Sequence, residues 1–170
     1  MAQFHLRLRL FFVLAILAWL AGSPAAALAA AAASSGRLET ARDLATDGRL
    51  ARESGLPILL FFSRADCPWC ERARREHLLP LARENPPRAI IRQIDIDQDA
   101  ALTDFAGKTT THRRFGQGIK ARLTPTLAFV GPDGQTLADT IVGYKLADFY
   151  GAYIDRAIED ARTKLKDQSQ

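Results

Sequence analysis

The chain has 170 residues, 48% hydrophobic and 25% charged, a balance that excludes a disordered or fibrous protein and predicts a single globular domain. Its formal net charge of +4 falls to +2 once the arginines of the first 29 residues are set aside, which excludes the strongly basic profile of a nucleic-acid binder.

Those first residues stand apart from the domain. MAQFHLRLRL carries Arg7 and Arg9 and no acid, Leu10 to Leu20 is uniformly apolar, and Gly22, Ser23 and Pro24 break the run before small residues continue to Ala33. This is the pattern of a secretory signal peptide spanning residues 1–29, expected to be cut after Ala29 because Ala27 and Ala29 offer the small side chains that signal peptidase needs. The alternative is an uncleaved membrane anchor, since no charged residue lies between Arg9 and Arg37. In both cases the remainder is expected across the membrane, in the periplasm or an equivalent oxidising space. Lipid attachment is excluded, because no cysteine follows the apolar run.

Taken in chain order, Ser34 to Ser54 is predicted to be helical in two pieces, with Leu38, Ala41, Leu44 and Ala45 on one face and Asp47-Gly48 as a break. Pro57-Ile-Leu-Leu-Phe-Phe62 is a short apolar run suited to a strand buried on both faces. After the cysteine pair, Glu71 to Glu84 places Ala73, His77, Leu78 and Leu81 at helical spacing, with Pro80 expected to kink or end the helix. Ala89 to Ile96 reads as a second strand, Ile94 and Ile96 inward and Asp95 outward. Asp97 to Leu123 is the least legible stretch; Thr109 to Thr111 is predicted to cap a short helix over His112 to Phe115. Thr126 to Val130 and Thr136 to Val142 flank Gly131-Pro-Asp-Gly134, the pattern of an antiparallel hairpin. From Leu146, a 3.6-residue period through Phe149, Tyr150, Tyr153, Ile154, Ala157, Ile158, Ala161 and Leu165 predicts an amphipathic closing helix, and Lys166 to Gln170 a disordered tail. The order gives an α/β protein with a central mixed sheet of about four strands and helices on both faces.

Cys67 and Cys70, separated by Pro68 and Trp69, are the only cysteines. A tetrahedral zinc site would have only these two, His77 and His112 as sulfur or nitrogen donors beyond the leader, and covalent haem attachment needs a histidine where Glu71 stands. No metal or cofactor is therefore expected. A purely structural disulfide stays open, although closing so short a loop removes only about 2 kcal/mol of unfolded-state entropy, against ~3 kcal/mol for a fifteen-residue loop. Disulfide exchange explains the position as well as the spacing. At a helix start, unpaired N–H groups favour a thiolate, and lowering a thiol pKa from about 8.5 to roughly 6.5 raises the thiolate fraction at pH 7 from about 3% to about three-quarters. Cys67 is the expected nucleophile and Cys70, one turn in and more buried, the resolving thiol; Arg64 would favour the thiolate and Asp66 oppose it.

A buried strand, then Cys67-Pro-Trp-Cys70 opening a helix, then Thr124-Pro125-Thr126 leading into a hairpin strand, resembles the thioredoxin superfamily over residues 37–166. The resemblance implies a thioredoxin-like fold with Pro125 as a cis-proline beside the cysteines. It also implies that Thr124 offers its backbone to a substrate strand, that Gly143 lines the substrate groove, and that Trp69 is exposed beside the thiol, packing against the helix being the alternative. The leader, the CPWC pair, the helix ending near Asn85-Pro-Pro87 and the DFAGKTTTHRRFGQG insertion are similar to periplasmic thioredoxin-related proteins, including the thioredoxin-like component of sulfur-oxidation clusters.

Two departures stand out. The buried acid that many thioredoxins carry six residues before the first cysteine is Phe61, and the tryptophan often found four before it is Ser63, so either Asp66, Glu71 or water substitutes as proton acceptor for the resolving cysteine or the protein relies less on that step. The stretch from Ile119 to Pro125 is also longer than the compact pattern.

The resemblance implies a thiol:disulfide oxidoreductase, acting mainly as a reductant on thiol- or disulfide-bearing periplasmic proteins and recharged by a membrane electron-donor protein. It is expected to be a monomer that binds no nucleic acid. An oxidase or isomerase using the same chemistry, and a non-catalytic binding module with a structural disulfide, are the alternatives. The large helical insertion of dedicated periplasmic oxidases is not seen, which favours the reductant. His77 is expected on a helix face and His112 on the surface, and Arg72, Arg74 and Arg75, interleaved with Glu71 and Glu76, on a solvated face.

Overall fold

A computed structural model describes residues 36–168, so the leader at 1–29 and the last two residues lie outside the described residues. Strand β1 (Ile58–Ser63) is buried at every position and sits inside a four-stranded sheet of order β2-β1-β5-β6. It pairs in parallel with β2 (Ile90–Asp95), Ile58 opposite Ile90 and Phe62 opposite Ile94. On its other side it runs antiparallel to β5 (Thr126–Val130), which turns through Gly131–Gly134 into β6 (Thr136–Val142). The mixed sheet and the hairpin are those expected from the sequence.

Because side chains alternate across a strand, β1 feeds two cores. Leu59 and Phe61 join Leu127 and Phe129 beneath α2 (Pro68–Ala73), α3 (Leu79–Ala82) and α5 (Tyr150–Gln168). Ile58, Leu60 and Phe62 face the other way, toward α1 (Leu44–Ser54) and Leu102.

Several elements differ from expectation, each for a visible reason. Residues 39–43 are extended along the edge of β2, where the Ala41 N–H donates to the Gln93 carbonyl at 2.9 Å and the Gln93 N–H to Glu39 at 2.8 Å. Among the described residues the first helix therefore begins at Leu44, capped by Asp43, whose carboxylate accepts from the Thr46 N–H at 2.9 Å. Asp47-Gly48 is no break: Asp47 is buried in an ion pair with Arg92, and a Cβ at residue 48 would sit 2.2 Å from the Pro132 carbonyl oxygen, so the helix needs glycine to pass the β5–β6 turn. Between α2 and α3 the helix widens into a π-helical turn, Arg74–Leu78, and the Leu79 N–H reaches back to the Arg74 carbonyl just ahead of Pro80, which has no N–H to give.

The stretch after β2 contains a small hairpin, β3 (Ala101–Thr103) with β4 (Thr109–Thr111), that periodicity did not indicate. Thr111 does cap the following helix, α4 (His112–Gly118), accepting from the Arg114 N–H at 3.3 Å. Helix α5 continues to Gln168, so Lys166 to Gln168 are helical rather than disordered; Leu165 is buried and Lys164 donates to the Thr136 carbonyl at 3.1 Å, tying down the last turns. Its inward face is Tyr150, Ile154, Ala157, Ile158, Ala161 and Leu165, while Phe149, in the 3₁₀ turn before it, and Tyr153 point outward.

Candidate active site

The loop from β1 to α2 delivers the cysteines. Its backbone is held by Asp97, which follows β2 and accepts the Ala65 N–H on Oδ2 at 2.9 Å. Asp66 adopts a positive φ of 52°, turning the chain so that Cys67 becomes the N-cap residue with Pro68 in the first helical turn. Pro68 has no N–H to satisfy, and the Glu71 N–H closes the first turn on the Cys67 carbonyl at 3.0 Å.

Cys67 and Cys70 form a disulfide, their Cα atoms 5.2 Å apart. The two sulfurs have unequal surroundings. Cys70 is buried among Phe61, Ala73 and the rest of that core, whereas Cys67 is part-exposed and lies at its edge. Cys67 Sγ accepts the Cys70 N–H at 3.2 Å and lies 3.5 Å from the Thr124 hydroxyl, which must be the donor while the sulfur is oxidised. Both donors would equally stabilise a thiolate at Cys67.

Thr124 and Pro125 immediately precede β5 and reach the cysteine pair from there. The Thr124–Pro125 peptide is cis, Pro125 is buried, and its carbonyl accepts the Gly143 N–H at 2.8 Å. Gly143 has φ of 77°, a region open to glycine without strain, and so ties the end of β6 to the residues beside the sulfur. The structure thus brings Cys67, Cys70, Thr124, Pro125 and Gly143 together.

Trp69 is 55% exposed and stacks on Tyr144, ring centroids 5.8 Å apart. Tyr144 is the residue whose importance was not legible from its place after Gly143. Its hydroxyl donates to Glu76 Oε2 at 3.0 Å and lies 3.0 Å from His77 Nε2, so the imidazole donates to the remaining lone pair. Arg72 covers the same ring at 5.4 Å and pairs with Glu76. Hydrogen bonding from Arg72, then from Tyr144, holds the Glu76 carboxyl below its usual range, and burial pushes the Tyr144 hydroxyl up and His77 down.

Two basic residues are placed differently from expectation. His112 is buried, not on the surface: Nδ1 accepts the Asp95 N–H at 3.0 Å and Nε2 donates to the Ala41 carbonyl at 2.8 Å, joining β2 to the extended segment before α1. Arg74 is only 17% exposed and reaches the two positions where the family pattern is broken. Its guanidinium lies 5.5 Å from the Phe61 ring centroid, donates to Ser63 Oγ at 3.3 Å and to Gln93 Oε1 at 3.1 Å, and pairs with Glu71. Glu71, one of the expected substitutes for the missing acid, is thus engaged by a cation.

Comparisons with known proteins agree with this geometry. The family described as a thioredoxin-like domain matches residues 44–158. Among solved structures, mitochondrial thioredoxin 3 from Saccharomyces cerevisiae in its oxidized form is 17% identical, covers 75% of this chain and 98% of its own, and superposes with a TM-score of 0.50. Fasciola hepatica thioredoxin is 20% identical over 71% of this chain and 99% of its own, with a TM-score of 0.50. A DsbH oxidoreductase is 16% identical over 75% and 88%, with a TM-score of 0.51. At these identities the structures share the fold. No curated protein sequence matches the chain significantly.

Proposed function

This chain belongs to the thioredoxin-like family, and we propose that it is an exported thiol:disulfide oxidoreductase that reduces disulfides in periplasmic partner proteins. The observation that carries the reading is the unequal pair: a part-exposed Cys67 at a helix start, receiving the Cys70 N–H, over a buried Cys70.

In the reduced state the Cys67 thiolate attacks one sulfur of a partner disulfide. The partner's S–S bond breaks, a Cys67–partner S–S bond forms, and the partner's other sulfur leaves as a thiolate that takes up a proton. Cys70 then loses its proton and attacks Cys67 Sγ, closing the Cys67–Cys70 disulfide and expelling the second partner thiolate. Two electrons have moved to the partner, and a membrane electron-donor protein returns them.

The neighbouring groups have roles that follow from their places. The Thr124–Pro125 segment lies against the attacking sulfur, where an extended partner segment would pair with the Thr124 backbone, Gly143 flanks that groove, and exposed Trp69 offers an apolar surface beside it. The leader at residues 1–29 supports export. The reducing direction is supported by the small size of the 97–123 insertion, a hairpin and one seven-residue helix.

Reduction of insulin disulfides with dithiothreitol as electron source tests the activity. The protein is expected to accelerate insulin precipitation, and its Cys70→Ser variant to accumulate a mixed disulfide through Cys67. A protein inert in this assay whose Cys70→Ser variant traps no partner would contradict the reading.

A further inference from the structure

On the sheet face opposite α2 lies a cavity of about 400 Å³ that disulfide exchange does not use. Helix α4 covers only part of this face. It ends at Gly118, and residues 119–123 follow as a loop that lines the cavity, with Lys120 in a positive φ of 59°. Leu60 and Phe62 lie buried beneath it, and the apolar surface left open comes from part-buried Ala128, Phe105 and Phe115 and from exposed Ile119, Leu123 and Val142.

The polar groups at this cavity divide into two kinds. Those already satisfied include Thr126, whose hydroxyl donates to the Leu123 carbonyl at 2.8 Å, and Asp133, which pairs with Arg52. Lys120 and Arg122 are different: both line the cavity, both are exposed, and among the described residues neither side chain has a hydrogen-bond or ion-pair partner. Leu123, beside them, is 63% exposed. An apolar floor favours hydrocarbon, because such cavities do not hold water well, and two free cations at the mouth favour an anion.

We propose that this cavity binds one small amphipathic carboxylate, its hydrocarbon chain on the apolar floor made by Ala128, Phe115, Ile119 and Val142 and its carboxylate met by Lys120 and Arg122. A fully polar anion would leave the floor uncovered, and a neutral hydrocarbon would leave the cations unanswered. The site is separate from the disulfide, since Cys67 and Cys70 pack into the other core.

Titration calorimetry on the full chain with decanoate, kept below its micelle concentration, and with decanol tests the assignment. Decanoate is expected to bind saturably at one site and more tightly than decanol. Removing both cations in Lys120→Gln/Arg122→Gln should weaken decanoate by roughly tenfold or more and leave decanol unchanged. Thr140→Trp, an exposed edge-strand position lining the cavity, should block both, and Cys67→Ser/Cys70→Ser should bind as the parent does. Absence of saturable decanoate binding, binding that survives Thr140→Trp, or a double-glutamine variant that still prefers decanoate would each overturn the proposal.

Discussion

Leu127 and Ala128 are neighbours on β5, yet they meet different surroundings. Leu127 has no exposed surface and is packed among Phe61, Phe129 and the helices of the cysteine face; Ala128, pointing the other way, lines the open cavity. The cysteine face is close-packed where Cys67, Thr124, Pro125 and Gly143 must keep a fixed geometry. The opposite face is densely packed over β1 and β2 and left incomplete over β5 and β6. One sheet can therefore hold a reactive centre rigidly on one side and leave a binding volume on the other, because alternating side chains let each face be completed independently.

Substitutions can break or sharpen this contrast. The largest effect belongs to the cysteine face: Cys67→Ser is expected to bring insulin reduction down to the uncatalysed background with the fold retained, measured as precipitation rate and circular dichroism. Next comes the packing contrast itself. Leu127→Ala should cost about 2–5 kcal/mol in denaturant unfolding, while Ala128→Leu, growing into space, should leave stability within about 1 kcal/mol of the parent or raise it. Equal losses at both positions would show that the two faces are packed alike.

Smaller, and specific to the polar group under the cysteines, is Arg74→Gln. Ser63 is fully buried and its hydroxyl is paired with Arg74, so truncating that contact should cost about 1–3 kcal/mol in the same assay. Smallest is the pH response of His77. Burial depresses its pKa in the folded state, Arg72 adding to this while Glu76 and Asp155 pull it upward. The unfolded chain therefore takes up the proton first, and the contribution present above pH about 6.5 is lost as pH falls through the depressed folded value. His77→Gln should flatten that part of the stability profile; an unchanged slope would remove His77 from the account.

The parts legible in the sequence were those where local pattern and tertiary role coincide. The unbroken apolar run of β1, the Gly131–Gly134 turn and CPWC after a buried strand each carry their own signal, and they fixed the sheet and the position of the cysteines. Other features depended on distant partners. Gly48 looks like a helix breaker until Pro132 is seen pressing on it, and His112 looks like a surface residue until Ala41 and Asp95 are brought to its two nitrogens. Arg74 belongs to a charged helical run by composition, and only the fold shows it lying over Phe61 and bonded to Ser63. The β3–β4 hairpin, with three-residue strands, is too short for a period to register.

The equilibrium reduction potential of Cys67–Cys70, read by thiol alkylation in glutathione and dithiothreitol buffers, tests the central claim most directly. A reductant is predicted to lie near the thioredoxin value of roughly −270 mV. A value near the roughly −120 mV of a strong oxidant such as DsbA would contradict that direction and make the protein a disulfide donor.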